Sequence, residues 1–231
     1  MYNEAEIIAR TATALSIYMT EQGFTDYEII FCDDGSTDNG SKILSELTLP
    51  NVKVTGYANN RGKGCAVRHA MLSATGDIRI FTDSDLAYGV DVIKTIINIF
   101  ENDENIDYVI GSRRLHPEGY DNYTLIRKIC SKVFLLAAEI IGGFNVSDSQ
   151  CGCKAYRGAA AERIFNNCTV DGFAFDFETI MLAKKFGMKI VPFPVKIINH
   201  RESKVHLLKD SFSMLFDLLR IRMRIACKRC V

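Results

Sequence analysis

The chain has 231 residues, 48% apolar and 24% charged, with only 16 Gly and 4 Pro. That length fits one large α/β domain with a packed core, and the composition excludes a disordered or collagen-like polymer. Lys and Arg total 28 against 28 Asp and Glu, which argues against a general nucleic-acid binder, since such binding needs many phosphate-neutralising cations.

The charge is unevenly spread. Five basic residues and no acidic one lie from Arg220 onward, which leaves residues 1–219 at −5. A basic tail on an acidic body points to an anionic surface as partner.

Residues 4–22 carry Ile7, Ile8, Ala12, Leu15 and Met19 at helical spacing behind Asn3, the expected N-cap, and YEIIFC (27–32) reads as a short buried strand. A helix near 38–48, strand 52–57, helix 63–75, strand 77–83, helix 90–101 and strand 108–113 continue the alternation. Such a series predicts a mostly parallel sheet covered by helices on both faces. A long helix near 122–141, a strand at 153–157, a helix near 175–187, a strand at 189–198 and a final helix from about 205 follow.

The most apolar stretch, VFLLAAEIIGGFNV (133–146), is too short for a bilayer and contains Glu139, and MYNEAEII has no basic region followed by an apolar run. Neither a membrane span nor a signal peptide is expected. Eight cysteines are scattered among hydrophobic segments and read as reduced thiols of an intracellular protein. Cys227 and Cys230 have CxxC spacing without a second pair or histidines, so no zinc site is expected.

In open parallel sheets ligands bind beyond the carboxyl ends of strands, and the polar clusters fall there. DDGSTD puts Asp33 and Asp34 at the tip of the first strand, with Ser36, Thr37 or Asp38 able to cap the next helix. NNRGKG brings two glycines and Lys63 to a helix start, where backbone donors and positive charge suit a phosphate, although neither the Walker A nor the GxGxxG spacing is present. DIRIFTDSDL ends a strand with Asp83 and Asp85 one residue apart, so both carboxylates can converge on one cation. Hard oxygen ligands favour Mg²⁺ or Mn²⁺, which would bridge a diphosphate. Asp176 and Glu178 sit in apolar surroundings that ask for a site or a salt bridge.

YNE (2–4), DDGSTD (33–38), NRGKG (60–64), DSD (83–85), GSR (111–113), DSQCGCK (148–154) and AFDFE (174–178), in that order, resemble the inverting glycosyltransferase family 2, and most closely its polyprenyl-phosphate branch of dolichyl-phosphate glucosyltransferases and mannosyltransferases. The resemblance implies a GT-A fold over 1–200, a nucleotide-sugar donor, a divalent cation and a lipid-linked phosphate acceptor. It further implies that Tyr2, Glu4, Asp33 and Asp34 hold the donor nucleoside, that Asp83 and Asp85 bind the metal, and that Asp148 and Gln150 lie on the sugar side. Asp176 and Glu178 would form an acidic pair at the reacting centre. Arg113, together with Arg201 and Lys204 of RESK, would contact phosphate.

A phosphate monoester is largely ionised at neutral pH and needs no base, whereas a sugar hydroxyl would need one, with Asp176 as the candidate. The resemblance therefore implies inverting single displacement of a hexose, from UDP-glucose or else GDP-mannose, onto polyprenyl or dolichyl phosphate. The alternatives are a hydroxyl acceptor with Asp176 as base, or a silent nucleotide-binding partner.

The basic segment 201–231 reads as an amphipathic helix with an apolar stripe of Phe212, Leu215, Phe216, Leu219, Met223 and Ala226 beside Arg220, Arg224 and Lys228. It is expected to lie on an anionic membrane surface at the cytoplasmic face, or else to pack on the domain. Family members carry a buried strand ahead of YNE where this sequence has Met1, so an N-terminally incomplete chain, or another segment filling that place, is expected.

Overall fold

In the computed structural model, residues 1–119, 136–199 and 207–227 are described, with the side chains of the last helix described from Met214 onward. The elements alternate: α1 (Ala5–Glu21), β1 (Ile29–Asp34), α2 (Gly40–Glu46), β2 (Val52–Tyr57), α3 (Lys63–Ser73), β3 (Ile78–Thr82), α4 (Val92–Asn102) and β4 (Tyr108–Ser112). Then come α5 (136–142), β5 (Cys153–Arg157), α6 (Gly158–Phe165), α7 (Phe175–Lys185), β6 (Ile190–Pro194) and α8 (Leu207–Cys227). Most of the helix expected near 122–141 lies outside the described residues, and α6 falls in a stretch for which the sequence predicts no element.

β1 and β2 pair in parallel, with Ile29 opposite Val52 and Asp34 opposite Tyr57. The other four strands run in the order β3-β5-β4-β6. β4 and β6 are parallel, while β5 is antiparallel to both of its neighbours, so it is the single reversal in an otherwise co-directional sheet. β6 tolerates Pro192 and Pro194 because it lies at an edge. The Val195 N–H donates to Ser112 O (3.1 Å), which puts the donors facing β4 at odd-numbered positions and the prolines on the other side. Met1 bonds β1 through its ammonium to Cys32 O (2.6 Å) and through its carbonyl, which accepts from Asp34 N–H (2.9 Å).

The main core fills the space between the four-stranded sheet and α4, α6, α7 and α8, with Phe100, Tyr108, Tyr156, Phe165, Phe175, Phe177, Leu218 and Ile221 buried together. Each such side chain contributes on the order of 1.5–3 kcal/mol by leaving water. Tyr108 stacks on Tyr156 with centroids 4.2 Å apart. A smaller cluster of Ile8, Ala12, Leu15, Phe31, Leu44 and Leu86 binds α1 and α2 to β1.

One expectation about helices changes. Asn3 does not cap α1: it adopts a left-handed φ of 53°, and the cap position belongs to Glu4, which makes no side-chain cap bond. Instead Asp38 accepts the first N–H of two helices at once, from Ala5 (2.8 Å) and Gly40 (3.0 Å). α8 packs on the domain through residues outside its expected apolar stripe. Met214, Leu218 and Ile221 are buried, whereas Phe216, Leu219 and Met223 are exposed. Among the described residues no helix is long and apolar enough to cross a membrane.

Candidate active site

The β3 strand delivers Asp83 and Asp85 into a tight turn. Leu86 N–H donates to Asp83 O (3.0 Å), with Leu86 itself at φ 49°. Thr11 Oγ1, on α1, donates to Ser84 O (2.6 Å) and fixes the turn to the helix. Asp85 Oδ1 accepts from Ala87 N–H (3.0 Å), the local bond by which aspartate stabilises turns. Burial and then the neighbouring Asp83 push the Asp85 carboxyl above its ordinary value. Lys63, the first residue of α3, reaches across to Asp83 with Nζ 2.6 Å from Oδ1.

The first turn of α7 holds Asp176, only 8% exposed, whose Oδ1 accepts from Lys154 Nζ at 2.6 Å. Lys154 comes from the middle of β5, is 0% exposed and also donates to Cys151 O (2.7 Å). Burial pushes the Asp176 carboxyl up, and Lys154 and Lys63 pull against it without cancelling the rise. Lys63 feels Asp83, Asp176 and Asp85 together; burial alone would lower its ammonium, but the three carboxylates hold it above its ordinary value. Three acids and two lysines thus make one interdependent charge cluster.

The loops that follow β1 and β2 are knitted to each other. Asp34, buried at the end of β1, accepts from Tyr57 Oη (2.7 Å), Asn60 Nδ2 (2.9 Å) and the N–H groups of Arg61 (2.9 Å) and Gly62 (3.0 Å). Its carboxylate therefore shapes the NNRG loop. Gly62, at φ 108°, has no room for a side chain because a β-carbon would meet Asp171 O at 2.6 Å. Asp33 accepts from Ser36 N–H (2.9 Å) and from Ser41 Oγ; burial raises its carboxyl, but these bonds outweigh burial and leave it below the ordinary value. The YNE segment is tied to the same loop through Asn3, whose N–H donates to Ser36 Oγ (3.0 Å) and whose Oδ1 accepts from Thr37 N–H (2.8 Å).

On the far side of β4, Arg113 grips Asp148 with Nε (2.7 Å), Nη2 (2.8 Å) and its own N–H (3.1 Å). Asp148 is 0% exposed, so this is a forked pair sealed on its acid side. Gln150 Nε2 approaches Met214 Sδ of α8 at 3.2 Å.

Over residues 1–165 the sequence matches the Glycosyl transferase family 2 domain. This chain belongs to that family. Among curated relatives, a dolichyl-phosphate beta-glucosyltransferase of Saccharomyces cerevisiae is 30% identical over 96% of this chain and 72% of its own length. A second protein of that name, from Trichomonas vaginalis, is 31% identical over 95% of this chain and 68% of its own. Glucosyl-3-phosphoglycerate synthase of Mycobacterium tuberculosis shares the fold, with a TM-score of 0.68 and 20% identity over 97% of this chain and 77% of that one. That structure holds UDP, and a related one (TM-score 0.67) holds Mn²⁺, UDP-glucose and phosphoglyceric acid. The GT-A fold and the glycosyltransferase class read from the motifs are both borne out.

As a family 2 enzyme, the chain brings together Lys63, Asp83, Asp85 and Asp176 and keeps other expected residues apart. Tyr2 is exposed and Glu4 half-buried at the start of α1. Glu178 does not pair with Asp176. The two are separated by two positions on α7, where side chains do not face each other. Glu178 is 0% exposed and is consumed by Thr169 N–H (3.0 Å), Val170 N–H (2.9 Å) and Arg224 of α8, so it locks the 168–170 loop and the last helix to α7. Arg201 and Lys204 lie outside the described residues.

Two functional neighbours were missed. Lys154 could have been found as a charge flanked by apolar Cys153 and Ala155 in the strand CKAYR, whereas nothing local marks Arg224 as the partner of a carboxylate 46 positions away. The described residues contain no group of three or more His, Cys, Asp or Glu suited to a metal. Two carboxylates nonetheless fit Mg²⁺ or Mn²⁺, which commonly complete their shells with water and substrate phosphate.

Proposed function

We propose that this enzyme transfers a hexose, with inversion, from a nucleotide sugar to a polyprenyl or dolichyl phosphate, with UDP-glucose as donor and GDP-mannose as the alternative. The names of its curated relatives support the acceptor class. The observation that carries the reading is the Lys154–Asp176 pair. A proton taken up by Asp176 would leave the fully buried Lys154 ammonium without its counter-ion, at several kcal/mol. Asp176, the candidate base, is thus poorly placed to act as one, and a phosphate acceptor, with a second pKa near 6, brings its own charged oxygen.

Asp83 and Asp85 would hold Mg²⁺ or Mn²⁺, which would supply positive charge to the diphosphate. Lys63 supplies a further positive charge on that side. Asp176 orients the acceptor and balances Lys154, and Arg113, braced by Asp148, lies at the end of β4 toward the acceptor phosphate. Exposed Phe216, Leu219 and Met223, with Arg220 beside them, rest on an anionic lipid surface where the acceptor is dissolved.

The test is incubation with radiolabelled UDP-glucose or GDP-mannose, Mg²⁺ or Mn²⁺ and polyprenyl phosphate. Label partitioning into the organic phase, lost on chelation, is expected. Label found only in water-soluble saccharide would favour the hydroxyl-acceptor reading, which the upward shift of Asp176 supports. That reading requires Asp176→Asn to abolish transfer and to remove an acidic limb from the rate profile.

A further inference from the structure

Lys63 occupies a position where folding alone asks for no cation. It is the first residue of α3, and the helix macrodipole disfavours positive charge at an N-terminus. A local rule broken in this way is characteristic of functional positions. Its ammonium lies over the Phe81 ring, 5.5 Å from the centroid, and the side chain remains 32% exposed, so it can move without unpacking the core.

Its target is closely defined. Asp83 Oδ2 lies against Gly152, where even a β-carbon would fall 2.1 Å away, and Oδ1 is held by the Lys63 ammonium at 2.6 Å. A divalent ion arriving at Asp83 therefore meets Oδ1 already occupied by a charge of its own sign. Without that ammonium, the carboxylates of Asp83 and Asp85, one residue apart in the turn, would carry like charge uncompensated.

We propose that Lys63 is a tethered counter-ion that competes with the divalent cation for Asp83 and, once displaced, engages the donor diphosphate, so that metal and nucleotide bind cooperatively. The proposal rests on the reading of Asp83 and Asp85 as metal ligands. In its free state the protein would bind the metal weakly, because the ammonium must first be detached. With a nucleoside diphosphate present, the detached ammonium gains a new anion, and linkage makes the coupling reciprocal.

The experiment measures Mn²⁺ binding to the full chain by electron paramagnetic resonance, without and with UDP, for the unsubstituted protein, Lys63→Met and Lys63→Arg, each checked by thermal melting. Lys63→Met should bind Mn²⁺ alone roughly tenfold more tightly, while the enhancement by UDP falls by about fivefold or more, within the usual range of coupling between sites. Lys63→Arg, which keeps the charge, should stay near the unsubstituted protein in both. Unchanged or weaker Mn²⁺ binding by Lys63→Met, or no binding by any of the three, overturns the competition. Tighter Mn²⁺ binding with undiminished enhancement overturns the transfer to diphosphate.

A second measurement needs no variant. Mg²⁺ titrated into the unsubstituted protein should shift the Lys63 ε-methylene NMR signal saturably, and a signal that stays fixed overturns the proposal. Neither readout involves sugar transfer, so failure of the lipid-acceptor reading and failure of this one are separable.

Discussion

Gly152 and Asp83 are in contact so close that no methyl group fits between them, with a β-carbon at position 152 standing 2.1 Å from Asp83 Oδ2. The antiparallel register of β3 and β5, Thr82 opposite Cys153, brings them together across 69 positions of sequence. Gly152→Ala is expected to push the Asp83 carboxylate off its position and cut transfer by at least about tenfold, since misplacement by an ångström at a reacting centre commonly costs more. Circular dichroism and melting should change little, because the displaced group is a partly exposed side chain and not core. A fully active Gly152→Ala would mean that Asp83 has no fixed position to lose.

The Lys154–Asp176 pair separates folding from catalysis. Lys154→Met alone leaves a buried carboxylate unpaired and should lower stability by about 3–5 kcal/mol in denaturant titration. Lys154→Met with Asp176→Leu removes both charges and should restore most of that stability while leaving the enzyme inactive. A double variant as unstable as the single one would show that the site depends on charge for its packing.

Acid should weaken the β1–β2 end of the molecule. Burial pushes the Glu28 carboxyl up, but bonds from Lys53 and Thr75 outweigh it and hold it at about 2, against an ordinary 4.5. Because the folded value is depressed, this contribution is present in full above 4.5 and is lost as pH falls toward 2. Lys53 is 62% exposed, so solvent screening limits the effect to no more than about 2 kcal/mol. Glu28→Gln should flatten the stability profile between those pH values while leaving the rest of the curve in place.

The last helix makes opposite predictions for its two faces. Leu218, 0% exposed, should cost about 2–5 kcal/mol when changed to Ala. Met223→Glu, at a position 61% exposed, should leave the melting temperature within a degree or two yet weaken cosedimentation with anionic vesicles severalfold. Equal vesicle binding by Met223→Glu and the unsubstituted protein would remove α8 from the membrane reading.

Much of the fold was legible in the sequence because hydrophobic periodicity reports burial locally. YEIIFC, VKVTGY and DIRIFTD read as strands, and each lies within two residues of β1, β2 and β3. The direction of β5 was not legible, since CKAYR carries no signal for which neighbour it will pair with. The packing face of α8 was not legible for a related reason. That helix is apolar on more than one side, and only the position of α7 chose Met214, Leu218 and Ile221 over Phe216, Leu219 and Met223.

By itself, the sequence determined the α/β order, the family motifs and the presence of acidic pairs at strand ends, because spacing and residue type act over a few positions. Only the tertiary structure decided which acids are available to a ligand. Asp34 and Glu178 are spent on their own loops, and Asp176 is bound to a lysine from the strand β5. Asp83 is shared between Lys63 and the space left by Gly152. A carboxylate's role depends on the donors and charges within a few ångströms of it, and those come from segments that the chain brings together only by folding.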